Sequence, residues 1–394
     1  MTVSIAAPAL ARQSPTKTLT ICGGVHALHD GFTDLLNVLY PLLQAQFGLS
    51  YAAIGALKAI YSGGMASGQI PSSWLAGRLG AVAVLAGGCG LVALGYGLAG
   101  VTGSLTGVVI GLLLAGLGGS TQHPIASALV TTAYGARSRT ALGTYNFSGD
   151  VGKVALPAAF ALIAAAIGWR EALIAIAAVA IASAAAVVAV LKPTATAASA
   201  KSTAGQLDGE DQPWAFWVLF AIHIADNLVR TGFLIFLPFL LQDKGADLPT
   251  IGLALSLLFA GGAAGKLVMG WVGARLGVVA SVVITEAATT ALILAVLPLP
   301  LTAALALLPL IGVMLNGTSS VLYGTVPEFV TPAKRTHAFA VFYTGGSVAG
   351  AIGPFLFGLL GDAAGLAPTI AVVACVALAT VPMVWALRPA FKGS

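Results

Sequence analysis

The chain has 394 residues, of which 58% are hydrophobic and only 8% charged, and its mean hydropathy is +0.97. A soluble domain of this length needs far more charge to cover its surface, so composition excludes a soluble enzyme or nucleic-acid-binding protein. The net charge of +5 therefore calls for a membrane explanation.

Roughly 20 apolar residues cross a bilayer as a helix, and a helix satisfies its own backbone hydrogen bonds in lipid. The 49 glycines suit helices that pack backbone to backbone. Residues 1–18, with Arg12 and Lys17 and no apolar core, read as a cytoplasmic segment rather than a cleavable signal. Turn signals then place helices near 19–46, 50–76, 80–101, 105–134, 139–167 and 170–191, a first six-helix bundle over 19–191. Residues 192–213, rich in Ala, Ser and Thr and then acidic, read as a flexible cytoplasmic linker. A second bundle over 214–388 follows, with helices near 214–241, 248–274, 278–299, 302–329, 336–361 and 366–387. Cys22, Cys89 and Cys375 stand alone in apolar stretches, which suggests neither a disulfide framework nor a thiolate metal site.

Twelve crossings put both termini on one side of the membrane, and the basic residues test this. One side collects Arg12, Lys17, Arg78, Arg137, Arg139, Lys192, Lys201, Arg275, Lys334, Arg335, Arg388 and Lys392; the other holds only Arg170 and Lys244. That bias predicts cytoplasmic termini.

Shifting the sequence by 197 residues brings landmarks into register without a gap. His26 falls on His223, Pro41 on Pro238, Arg78-Leu79-Gly80 on Arg275-Leu276-Gly277, Gly149 on Gly346 and Pro157 on Pro354. Because each half has an even number of helices, the repeat is parallel, about an axis along the membrane normal. Proteins so built bind substrate between the halves near the midplane and alternate access by rocking.

Two parallel six-helix halves joined by a linker resemble the major facilitator superfamily. His26-x3-Asp30, Tyr40-Pro41-Leu42-Leu43-Gln44 and Phe47-Gly48-Leu49-Ser50-x3-Ile54-Gly55 look like the opening of its fosmidomycin-resistance branch. Gly116-x-Gly118-x-Ser120 with His123-Pro124, Glu328, and Gly358-x2-Gly361-Asp362 are similar to that branch too. The resemblance implies a proton-driven exporter of small drugs, with the first, fourth, seventh and tenth helices lining the cavity. It also implies gating roles for Arg78, Arg275 and Glu328. The superfamily's acid between the second and third helices is replaced here by Gly77, and in the second copy by Ala274. In the fifth helix the antiporter motif becomes Gly149-Asp150-Val151-Gly152-Lys153, with charges at positions the family usually leaves neutral.

An ionisable residue inside a membrane helix costs roughly 2.5–3.5 kcal/mol on insertion scales, so its presence points to function. His26, Asp30 and Asp34 recur every fourth residue along one helix face, and a carboxylate beside an imidazole suits proton coupling. By the resemblance, His123, Asp150, Lys153, His223, Asp226 and Arg230 converge on the cavity as substrate ligands. Lys153 and Arg230 suit an anionic group, Arg especially a carboxylate or phosphonate. Bland alternatives stand beside each. Asp150–Lys153 and Asp226–Arg230 can neutralise one another along their helices, Lys58 and Lys266 can snorkel, and His123-Pro124 can be a kink.

The expectation is a proton-coupled exporter of a small polar or anionic compound, working as a monomer in a bacterial inner membrane without cofactor or resident metal. An importer of an organic anion is the alternative. A divalent-metal transporter, gathering His26, His29, Asp30, His123, His223 and Asp226, is the third reading. No His-Glu-x-x-His or Gly-x-Ser-x-Gly motif occurs, so an enzyme is not expected.

Overall fold

A computed structural model describes residues 14–192 and 210–391, and all regular structure there is helical. Residues 193–209 of the linker expected at 192–213, the first 13 residues and residues 392–394 lie outside the described part.

The opening crossing is two helices in line, α1 (Pro15–Asp34) and α2 (Leu36–Phe47), jointed at Leu35. The Asn37 amide donates to the Asp34 carbonyl at 3.1 Å, and Pro41 removes the N–H that would have reached Asn37. Gly48 ends the segment in the left-handed region. Helix α3 (Tyr51–Leu79) starts on Ser50, whose hydroxyl accepts the Ala53 amide at 3.2 Å. Helix α4 (Ala81–Thr102) follows. The expected helix at 105–134 is broken into α5 (Leu105–Gly119) and α6 (Gln122–Tyr134), because Pro124 cannot donate to the Ser120 carbonyl. Then come α7 (Ser138–Ile167), α8 (Trp169–Val190) and α9 (Pro213–Asp243). The two helices expected at 248–274 and 278–299 form the two arms of α10 (Leu248–Val296), parted at Gly277, whose backbone is not helical (φ 77°, ψ 169°). The chain closes with α11 (Leu301–Thr325), α12 (Arg335–Ala364) and α13 (Leu366–Ala386).

Length and apolarity alone pick out eight spans among the described residues. Two of them, Leu105–Ile167 and Leu248–Val296, each hold two crossings, and the polar opening stretches 15–47 and 51–79 add the remaining two. Twelve crossings result. Large apolar side chains such as Leu162, Ile181, Val188 and Leu378 face outward, as lipid-facing positions should.

In the first half α1 packs on α7, and α4 on α5 and α8; in the second, α9 packs on α13, and α10 on α11 and α13. The halves meet through α3 against α12 and α7 against α10. Both contacts are backbone to backbone. A Cβ on Gly55 would lie 2.3 Å from the Pro354 carbonyl oxygen; one on Gly252 would lie 3.1 Å from that of Pro157 and 2.5 Å from the Ala161 Cβ. These positions are 197 apart in both members, so the interface obeys the repeat.

At the end of the bundle away from the termini, Asp362 accepts the amides of Tyr51 and Ala52 at 2.7 and 3.1 Å. Tyr51 also packs edge-on to Phe236 and Phe239. The two basic residues at this end cap helix C-termini: Arg170 donates to the carbonyls of Gly100 and Val101, and Lys244 to those of Leu297 and Leu299. At the other end Asp211 accepts from Lys334 at 2.5 Å and from the Thr331 amide at 3.0 Å. These bonds, the Lys334 ammonium first, hold the Asp211 carboxyl below its ordinary range.

Candidate functional site

Helix α7 can reach α1 only because Gly152 has no side chain: a Cβ there would sit 1.7 Å from the Ala27 carbonyl oxygen. This approach carries Lys153 Nζ to 3.3 Å from Asp30 Oδ2. Two imidazoles complete the cluster. His26 Nε2 lies 3.4 Å from Asp30 Oδ2, and His123 Nε2, on the first turn after the α5–α6 break, lies 3.6 Å from Asp30 Oδ1. The His26 ring stacks on Tyr145 with centroids 4.2 Å apart, and its Nδ1 is 2.7 Å from the Tyr145 carbonyl oxygen. A carbonyl only accepts, so Nδ1 carries the hydrogen and Nε2 is the nitrogen turned toward Asp30. Asp30 is 13% exposed but the His123 side chain is 49% exposed, so the cluster has one open side.

Beside it lies a polar cavity of about 190 Å³, lined by Asp34, Lys58, Asp150, Lys153, Arg230 and Lys266 among others. A second chamber of about 230 Å³ shares Lys58, Arg230 and Thr231 with it and is walled by Gln69, Tyr323 and Tyr343. Lys58 and Arg230 thus stand at the join.

Pairing within this region differs from the sequence expectation. Asp150 does not neutralise Lys153; it bonds Lys266 of α10 at 2.5 Å, tying the halves together, while Lys153 takes Asp30. Asp226 does not hold Arg230 either. The Arg230 guanidinium donates to Asn227 Oδ1 at 2.5 Å, and its Nε is buried without a partner. Asp226, 2% exposed, makes no ion pair within 4.0 Å among the described residues and keeps a buried Oδ2 without a hydrogen-bond partner, with Glu286 of α10 and Arg230 both near it. Among the described residues, Lys58, Arg230 and Asp34 have no opposite charge within 4.0 Å.

Other expected site residues are placed apart. His223 is 1% exposed, stacked on Phe342 at 4.2 Å and bonded to Asn227. His29 turns to the Cys89 sulfur at 3.5 Å. Arg78 and Arg275 each stack on a tryptophan of their own helix, Trp74 at 3.8 Å and Trp271 at 3.9 Å. Glu328 lies in a surface recess near Arg388 and Trp385.

Sequence reasoning missed Tyr145, Asn227, Tyr323 and Tyr343. The 197-residue shift held a signal for the first: it sets Tyr145 on Phe342, and the structure stacks each ring on its half's histidine, His26 or His223. Under the same shift Asp30, His123 and Lys153 fall on Asn227, Ser320 and Gly350. The rings are repeated; the charges are not.

Comparison with known proteins agrees with this architecture. A family model described as Major Facilitator Superfamily matches residues 22–223 and again 219–393. No curated protein matches the sequence. A crystal structure of a bacterial homologue of the human lysosomal transporter Spinster, inward-facing and occupied, superposes with a TM-score of 0.80 at 15% identity, over 95% of this chain and 97% of that one. Its inward-facing, unoccupied form gives 0.78 at 16%, over 96% and 97%. A mutant of the nucleoside transporter NupG gives 0.80 at 14%, over 95% and 100%. At these identities the likeness speaks for the fold.

Proposed function

Since the chain belongs to the major facilitator superfamily, and so is a transporter rather than an enzyme, we propose that it is a proton-coupled antiporter exporting a small polar or anionic organic compound by alternating access. The observation that carries this reading is Asp30, held by His26, His123 and Lys153 at the edge of a cavity in which Lys58 and Arg230 have no carboxylate partner. An anion entering that cavity finds two cations at the join of the chambers. Asp30 stands at the edge of that cavity, so a polar group that donates a hydrogen bond to its carboxylate and a proton compete for the same oxygens, and each leaves as the other enters. Binding and protonation are thereby linked, with opposite sign, through one carboxylate. In this reading the protein works as a monomer in a bacterial inner membrane, with both termini in the cytoplasm, and belongs with the drug exporters of the fosmidomycin-resistance type. In the same reading Arg78, Arg275 and Glu328 serve the gating that the resemblance implies for them.

The test is a substrate screen in proteoliposomes under an imposed pH gradient, repeated with Asp30→Asn. The variant should lose gradient-driven flux and keep counterflow exchange. Full gradient-driven transport by Asp30→Asn would overturn the coupling role. A cysteine placed at Ser14 in a cysteine-free background should react with an impermeant reagent only after the cells are permeabilised.

A further inference from the structure

The cluster around Asp30 has a second chemistry that transport of an organic compound does not use. The donor atoms of His26, Asp30 and His123 all lie within 4.8 Å of one another. His26 Nε2 lies 3.4 Å from Asp30 Oδ2 and His123 Nε2 3.6 Å from Oδ1, so the imidazoles approach different carboxylate oxygens, and either oxygen can join both nitrogens in a set of ligands about 2.0–2.1 Å from a central ion. The hydrogen bond from His26 Nδ1 to the Tyr145 carbonyl is the outer-shell contact that fixes a metal-binding histidine, leaving Nε2 with its lone pair toward the site. The stack on Tyr145 locks the ring plane. Three protein ligands with an open side at His123 make a site that keeps one position for water or another ligand.

We propose that His26, Asp30 and His123 form a binding site for a divalent transition metal of the zinc class, for which Lys153 is the built-in competitor. Two imidazoles and one carboxylate favour zinc, cobalt or nickel and disfavour magnesium and calcium, which take oxygen ligands. The metal occupies the side of Asp30 now held by Lys153, whose ammonium must swing into the cavity, and any proton on either Nε2 is released as the ion binds. The groups facing the cluster are Lys153 from α7, His29 along α1 with Cys89 of α4 behind it, Asp34 with Lys58 at the cavity edge, and Tyr61, whose hydroxyl bonds Thr33. Occupancy would pin α1 to α6 and withhold Asp30 from its other partners, so the ion acts as an inhibitor of whatever Asp30 does. The inference stands on this geometry and not on the direction or driving force of transport.

The experiment is a zinc titration of the full-length, chelator-treated protein in detergent, with its affinity tag removed, followed by calorimetry and by competition with a fluorescent chelator. One zinc per chain is expected at pH 7.5. His123→Ala and His26→Ala should each weaken binding at least tenfold, Lys153→Met should tighten it, and millimolar magnesium should not compete. At pH 5.5 the affinity should fall at least tenfold. Cobalt in place of zinc should give the visible absorption of a four-coordinate ion. His337→Ala, on an exposed histidine, is the control and should bind as wild type does. Size-exclusion profiles establish that each variant is folded. Absence of zinc binding by the wild type, or binding unchanged in folded His123→Ala, overturns the site; loss of proton coupling in Asp30→Asn has no bearing on either outcome.

Discussion

Asp362 reaches across the interface between the halves to accept the backbone amide of Tyr51 at 2.7 Å, so the start of α3 is capped by a side chain of α12. Capping groups contribute about 1 kcal/mol, and this one acts only while that end of the bundle is shut. Asp362→Ala should therefore shift the balance away from the shut state by roughly fivefold. Hydrogen exchange at the amides of Tyr51 and Ala52 reads this directly. Unchanged protection in the variant would show that the contact does not hold the end closed.

The glycines at the interface set a steric limit. Gly55→Val places methyl groups where the Pro354 carbonyl lies, and Gly252→Val does the same toward Pro157 and Ala161. Overpacking of this kind costs about 1–3 kcal/mol. Both variants should transport at least tenfold more slowly, whereas Gly63→Ala, with nothing within 4 Å of the added carbon, should behave as wild type. Equal rates for all three would mean the halves do not need this closeness to move.

Arg230 and Asp226, one helical turn apart, should respond differently. Arg230→Lys keeps the charge but loses the fork that bonds Asn227, and should weaken binding of an anionic substrate several-fold. Sequence spacing alone says that Asp226→Asn frees Arg230 and tightens binding. The structure reverses that expectation: Asp226 makes no ion pair with Arg230, so the amide should leave affinity as it is. It should also leave thermal stability unchanged or higher, because an amide can donate to the nearby Glu286 carboxyl. A clear gain in affinity for Asp226→Asn would restore the Asp226–Arg230 pair.

Asp211 supplies the pH test. Its carboxyl is held low in the folded protein by Lys334 and the Thr331 amide, so its stabilising effect is present above the unfolded value, near 3.9, and fades as pH falls through the folded one. Melting temperatures of wild type and Asp211→Asn should differ at pH 6–7 and converge below about pH 4. A difference that persists in acid would assign the effect to something other than the carboxylate.

Much of this was legible in the sequence because the bilayer simplifies the problem. Apolar length fixes the crossings, and the in-register repeat of His26, Pro157 and Arg78 fixes how the halves relate. Pairing was less legible. Spacing of three or four residues says only that two side chains share a helix face. It suggested Asp150 with Lys153, yet the rotation of α7 against α1 and α10 sends Lys153 to Asp30 and Asp150 to Lys266. Those rotations follow from where glycines let backbones touch, and Gly152 is one of many glycines on the page until Ala27 is seen against it. The break between α5 and α6, by contrast, was written in Pro124.

His223 stacked on Phe342 repeats His26 stacked on Tyr145 to within 3° of ring tilt, and yet Asn227, Ser320 and Gly350 stand where the first half has Asp30, His123 and Lys153. The second half is thus a control experiment already performed: the aromatic frame survives without the ions, so its upkeep does not depend on them. It also marks an experiment in reverse. Asn227→Asp with Gly350→Lys would give the second half the ion pair of the first, and so ask whether the same frame accepts it.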